Sequence, residues 1–170
     1  LKVLTSLYST ERGCIYLDDT EIDAYNRASY RNLFSTIFSD YTLFRKLLGI
    51  DLPDGSALFE LIKKMELSEK TSIEDGAITN RDLSSGQKKR LALIVSILED
   101  KPVMIFDEWA ADQDPVFRKF FYETLLPEFK SKGKTVIAVT HDDKYFDAAD
   151  NIYKMEYGKF VSVENHKTNK

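Results

Sequence analysis

Leu83-Ser84-Ser85-Gly86-Gln87-Lys88-Lys89-Arg90, followed by Pro102-Val103-Met104-Ile105-Phe106-Asp107-Glu108, decides how this chain folds. The first stretch reads as a serine-glycine turn that opens a helix with Lys88 to Leu98 as its body. A helix start leaves backbone N–H groups unpaired and carries partial positive charge, so it suits an anion. Gly86 allows close backbone approach there, and Ser84 offers a hydroxyl. Taken alone, the same tetrapeptide is equally an N-capping serine before a surface helix. The second stretch reads as a buried parallel strand that ends in two acids. In open α/β sheets, functional groups collect at the carboxyl ends of strands. A solvated strand end is the plain alternative. Two adjacent acids favour function, because one can hold a metal ion while the other activates water.

A second strand lies downstream. Lys134 to Val139 is apolar and β-branched, and it runs into Thr140-His141-Asp142-Asp143. Gly133 marks the turn out of the preceding helix. Val116 to Lys132 has helical spacing, with Phe117, Phe120, Phe121, Leu125 and Phe129 as core candidates and Pro127 expected to bend or end the helix. Strand, helix, strand in this order is a βαβ unit with a right-handed crossover. Asp107, Glu108 and His141 are thereby expected at one edge of a parallel sheet.

These segments resemble the nucleotide-binding domain of ATP-binding-cassette transporters over nearly the whole chain. Leu83-Ser84-Ser85-Gly86-Gln87 looks like the signature motif, with Ser85 in place of a more usual glycine. Val103 to Glu108 looks like the Walker B strand. The resemblance implies a P-loop NTPase-like α/β core with a helical subdomain, ATP and Mg2+ as ligands, and ATP hydrolysis coupled to transport. It makes Asp107 the residue that holds magnesium through water and Glu108 the general base. It makes His141 the switch histidine at the terminal phosphate. Asp114 matches the D-loop aspartate in Ala111-Asp112-Gln113-Asp114. Phe38 to Phe44 is similar to the Q-loop, but Ser39 stands where the glutamine is expected. The signature residues Ser84, Ser85, Gly86 and Gln87 imply contact with a nucleotide held by a second domain, in a head-to-tail dimer. A transmembrane domain in the same or another chain is the other implied partner, at the cytoplasmic face of the inner membrane. Trp109, directly after the acid pair, and Thr140 to Phe146 look like the exporter branch associated with cyclic peptides and peptide siderophores. Simple packing is the alternative for Trp109.

The phosphate loop G-x-x-x-x-G-K-[ST] begins at none of the seven glycines. The expectation is a piece of a longer protein with that loop upstream of Leu1, inactive by itself. Leu1 to Tyr8 has helical periodicity without a cap and reads as the continuation of an element. Gly13–Leu17 and Leu33–Phe38 read as short strands. Residues 41–100 read as the helical subdomain, with helices Tyr41–Leu48 and Ser56–Met65 ahead of the signature helix, and 1–40 and 101–170 as parts of the core. Leu58, Leu61, Ile62 and Met65 fit one apolar face. Asn151–Glu156 and Lys159–Val163 read as a hairpin about Tyr157-Gly158, and Glu164–Lys170 as a polar, frayed tail.

Composition narrows the classes. The 170 residues suggest one domain. A net charge of −4 without a long basic run gives no sign of a nucleic-acid partner. The single cysteine, Cys14, cannot form an internal disulfide, which agrees with a reducing compartment. No apolar stretch reaches the ~18 residues of a spanning helix. Two rival functions remain. Chromosome-maintenance and DNA-repair ATPases share the signature logic but insert long coiled coils, whereas Ser39 and Ser84 lie only 45 positions apart (84 − 39). A non-catalytic interaction module that kept the fold is the other. The missing phosphate loop favours it, and the presence of Glu108 and His141 opposes it.

Overall fold

The computed structural model describes residues 1–165. Its centre is a three-stranded parallel sheet in the order β3 (Phe34–Ile37), β6 (Val103–Asp107), β7 (Thr135–Val139). Register pairs Ile37 with Phe106 and Phe106 with Ala138, so Asp107 sits at the end of the middle strand. Met104, Ile105 and Phe106 are buried, as a strand covered on both faces requires.

The β6-to-β7 crossover is the predicted helix, in three parts. α4 (Pro115–Phe120) leads into a π-helical turn over Phe121–Leu125 and then α5 (Leu126–Ser131). Pro127 does not end the helix. A proline cannot donate to the carbonyl four residues back, and the widened turn before it, with Leu126 N–H donating to Phe121 C=O, absorbs the mismatch. Phe117, Phe121, Leu125 and Phe129 are buried as expected, and Phe120 is half-buried. Gly133, at φ +76°, turns the chain out of the helix.

The 41–100 segment departs from the expectation. α2 (Gly55–Lys64) is present and is capped by Asp54, whose side chain accepts from Ala57 N–H. No helix forms over Tyr41–Leu48. That stretch runs extended beside a hairpin of β4 (Ile73–Glu74) and β5 (Ala77–Ile78). Leu47 N–H donates to Gly76 C=O and Ile78 N–H to Arg45 C=O, and these bonds override the helical spacing. α3 (Ser85–Leu98) is the central helix, with Leu91, Leu93 and Ile94 fully enclosed. On its inner side Ser35 of β3 donates to Ser96 at 2.8 Å and also meets Glu99.

Elsewhere the elements are short. β1 (Tyr16–Leu17) and β2 (Thr20–Glu21) make a small hairpin where a longer single strand was expected, and α1 (Arg27–Arg31) precedes β3. Leu1 to Tyr8 forms successive turns and no helix; Ser6 at φ +56° breaks the helical path. β8 (Asn151–Glu156) and β9 (Lys159–Asn165) form the expected hairpin, two residues longer than read, about Tyr157 and Gly158, both at positive φ. Of the expected tail, residues 166–170 lie outside the described residues. Among the described residues no helix is long and apolar enough to cross a membrane.

Candidate functional site

Asp107 ends β6, half-buried, and β3 brings Ser39 to it. The Ser39 N–H and hydroxyl both reach Asp107 Oδ2, at 3.4 and 3.3 Å. A carboxylate and a hydroxyl thus share one strand edge. Among the described residues no group of three or more His, Cys, Asp and Glu gathers as a cation cage. Such a sparse oxygen set suits a hard cation such as magnesium, which takes most of its ligands from water and phosphate. It does not suit a structural zinc.

Glu108 follows in the left-handed region, at φ 49° and ψ 34°. This turn lifts its side chain off the strand line towards β7. His141 lies just beyond β7, and its Nε2 is 3.4 Å from Glu108 Oε1. The imidazole is 89% exposed and the carboxylate about half so. Both can therefore meet a ligand from solvent. The His141 turn is braced from below. Asp142 pairs with Arg118 at 3.1 Å and accepts from the Tyr122 hydroxyl at 3.2 Å, and that hydroxyl also contacts Thr140 at 2.7 Å. Burial pushes the Tyr122 phenol up to about 12, so it stays protonated.

Ser84 is the N-cap of α3. Its hydroxyl accepts from Gln87 N–H at 3.2 Å, and the Gln87 side chain accepts from Ser84 N–H at 3.0 Å. This capping box consumes two donors of the helix start. Ser84 and Ser85 are solvent-exposed, and the helix start faces outward. Gly86 has another neighbour. A Cβ there would sit 2.7 Å from the Asp112 carbonyl oxygen, so the close backbone approach expected at this glycine is made to the chain itself. Gln113 donates to the Gly86 carbonyl at 3.1 Å and fixes that approach.

Asp114 caps α4, accepting from Val116 and Phe117 N–H at 3.0 Å, and pairs with Arg90 at 2.5 Å. The Phe117 N–H above all, and then the guanidinium, hold its carboxyl below the usual range despite partial desolvation. The strand ends thus bring together Ser39, Asp107, Glu108 and His141. Ser84, Ser85, Gly86 and Gln87 form a separate outward face on α3, and Asp114 is engaged at a helix cap.

Sequence reading missed the residues that join these parts. The sequence alone assigns Lys89 and Arg90 no role beyond the basic start of α3, yet both are buried. Their spacing carried a signal: each lies four positions before a fully buried residue, Leu93 and Ile94, and so continues the inner stripe of α3. Trp109 is packed in the core, stacked on Phe121 with centroids 4.4 Å apart.

Residues 1–111 match the ABC transporter family. The chain is 46% identical over 165 residues to the ATP-binding protein SyrD of Pseudomonas syringae pv. syringae, covering 95% of this chain and 29% of that protein. It is 28% identical over 182 residues to ATP-dependent lipid A-core flippase 1 of Colwellia psychrerythraea, covering 98% of this chain and again 29% of the relative. The chain thus spans less than a third of the length of these relatives. Its backbone superposes on a bacterial Atm1-family ABC exporter with ATP bound, with a TM-score of 0.80 at 18% identity, covering 97% of this chain and 31% of that one. A dimeric ATP-binding cassette in a post-hydrolysis state with ADP and Pi gives 0.76 at 19% identity, covering 98% of this chain and 78% of that one. At these identities the likeness concerns the fold, which is that of the ABC ATPase. The family match runs three residues past Glu108 (111 − 108) and takes in both segments that decide the fold, so this chain belongs to the ABC transporter family.

Proposed function

We propose that this chain is the C-terminal portion of the ATP-hydrolysing domain of an ABC exporter, coupling ATP binding and hydrolysis to transport of a cyclic peptide or peptide siderophore. The observation that carries the reading is the Glu108–His141 contact of 3.4 Å beside Asp107, at the ends of adjacent parallel strands. Family membership and the likeness to SyrD support it. Residues 41–100 are read as the helical subdomain and the rest as the core.

In this reading Asp107, with Ser39 beside it, holds magnesium through water. Bound magnesium would neutralise charge on the nucleotide phosphates. Glu108 accepts the proton of the attacking water. Its carboxylate is about half exposed and so is reachable by a water molecule from solvent. His141 donates to the charge that develops on the terminal phosphate, and Arg118 and Tyr122 keep its turn in place. Ser84, Ser85, Gly86 and Gln87 present a helix N-terminus to a nucleotide held by a second domain. Asp114 contributes at the same interface. The implied partners are that second domain and a transmembrane domain, at the cytoplasmic face of the inner membrane.

The test is Glu108→Gln in the complete transporter. Nucleotide binding is expected to stay near the wild-type level while single-turnover hydrolysis slows by roughly 10²–10⁴-fold, the range for a lost general base. A wild-type rate would remove the role from Glu108 and favour the non-catalytic module.

A further inference from the structure

Glu108 occupies a backbone region that side-chain-bearing residues avoid, because the Cβ crowds the neighbouring carbonyl. Something must hold it there. On one side its N–H donates to Val139 C=O at 3.0 Å, the last rung from β7. On the other side its C=O accepts from the ammonium of Lys89 at 2.8 Å. The same ammonium lies 2.9 Å from Asp112 Oδ2, one turn further on. The Lys89 side chain is only 7% exposed, so this charge has left water for these two oxygens. The backbone of Lys89 is fastened as well: the Trp109 indole N–H donates to its C=O at 2.9 Å. Side chain and main chain of one residue thus grip positions 108, 109 and 112.

We propose that Lys89 is the positioning residue for Glu108: through its bond to the Glu108 carbonyl it holds the left-handed turn that aims the carboxylate at His141 and at the attacking water. The 108 carbonyl also accepts from Ala111 N–H within its own turn at 3.3 Å, but Lys89 is what ties it to α3, which a hydrophobic residue of the same volume could not do. The contact with Asp112 at 2.9 Å is a second anchor that stops the side chain from swinging out to solvent. The inference rests on the reading of Glu108 as the general base.

The test uses the complete transporter with Lys89→Met, Lys89→Gln, Glu108→Gln and the double variant Lys89→Met/Glu108→Gln. Methionine matches the stem volume and removes the donor, and the partner left behind, Asp112, is 45% exposed and returns to water, so melting temperature is expected to hold. Nucleotide affinity and KM for ATP should also hold. The kcat should fall roughly 10–10²-fold, the scale of an ångström-sized misplacement of a reacting group. Lys89→Gln keeps a neutral donor and should recover part of that loss. In the double variant the residual rate should equal that of Glu108→Gln alone, since Lys89 acts only through Glu108. Wild-type kcat in Lys89→Met overturns the inference, as does a double variant slower than Glu108→Gln by the full single-variant factor. If kcat drops only in step with melting temperature, Lys89 is a packing residue and the inference fails. If Glu108→Gln itself turns over normally, the functional reading fails first, and that outcome is distinct from the others.

Discussion

Gly86→Ala is a one-atom test of the joint between α3 and the loop after β6. The added Cβ would lie 2.7 Å from the Asp112 carbonyl oxygen and 3.7 Å from Gln113 Oε1. The first distance is well inside contact, and the obstacle is backbone, so no rotamer change relieves it. Either α3 or residues 111–113 must move. Movement strains the Gln113–Gly86 bond at 3.1 Å and the Arg90–Gln113 bond at 2.9 Å, which share the same amide. Forcing an extra carbon into a packed site costs about 1–3 kcal/mol. Alanine, as the better helix former, offsets up to ~1 kcal/mol of that. The expected net destabilisation is therefore about 1–2 kcal/mol, a roughly 5–30-fold rise in the unfolded population. Gly55→Ala is the matched control. Gly55 also opens a helix, but nothing lies within 4 Å of its added Cβ, so this change should be neutral or stabilise by about 0.4–1 kcal/mol. Urea unfolding of both variants, with midpoints compared at unchanged slope, reads the difference. A Gly86→Ala protein as stable as Gly55→Ala would refute the close approach, and with it the account of why this position is glycine.

Arg90→Lys keeps the charge but not the planar fork that reaches Glu66, Asp114 and Gln113 at once; the buried Gln113 oxygen then loses its donor, at about 1–3 kcal/mol by urea unfolding. Unchanged stability would show that an ammonium serves as well. Tyr122 keeps its proton to about 12 when folded but only to ~10 when unfolded, so its contribution is intact below pH 10 and is lost as pH rises through 12. Tyr122→Phe should flatten that alkaline fall, with the remainder shared by Tyr41, which burial also raises to about 12, and Tyr30, which burial raises as well; an equally steep fall would assign the loss elsewhere. Ser84→Glu should block ATP-dependent dimerisation of the complete domain carrying Glu108→Gln, read by light scattering, because a carboxylate would meet the terminal phosphate. Dimerisation at the unaltered level would leave Ser84 as a helix cap alone.

The parallel core was legible because its strands are apolar, short and bounded by polar turns, and because Gly133 marks a helix exit that only a positive φ satisfies. α3 was legible from its cap. The 41–50 stretch was not: its apolar spacing fits a helix, and what makes it extended is a partner 30 residues away in sequence. That partner did announce itself. Glu74-Asp75-Gly76-Ala77 contains an Asp-Gly pair, both at positive φ, the strongest short-range signal of a tight hairpin. Around the site, the strand-end acids and His141 followed from position alone. Ser39 was marked as a departure from the glutamine, and only coordinates bring its hydroxyl to Asp107. Lys89 and Arg90 were hidden because a buried cation is rare, and composition assigns basic residues to solvent.

Those two cations explain how an exposed surface and a strand end belong to one device. α3 carries both the outward helix start at Ser84 and, one turn later, the side chains that hold the loop behind Glu108. Lys89 binds that loop at positions 108 and 112. Arg90 binds it at 113 and 114, reaches Glu66 beyond the end of α2, and places its guanidinium carbon over the Phe117 ring, 3.6 Å from the centroid. Each of these contacts is a hydrogen bond or stack that weakens steeply with small displacements. A movement of α3 that follows a ligand met at Ser84 therefore cannot leave Glu108 where it was. Either the loop travels with the helix as a body, or the bonds of Lys89 and Arg90 break together. Packed polar joints of this kind have discrete arrangements and no continuous range between them. Two buried side chains thus tie the helix start at Ser84 to the loop that carries Glu108.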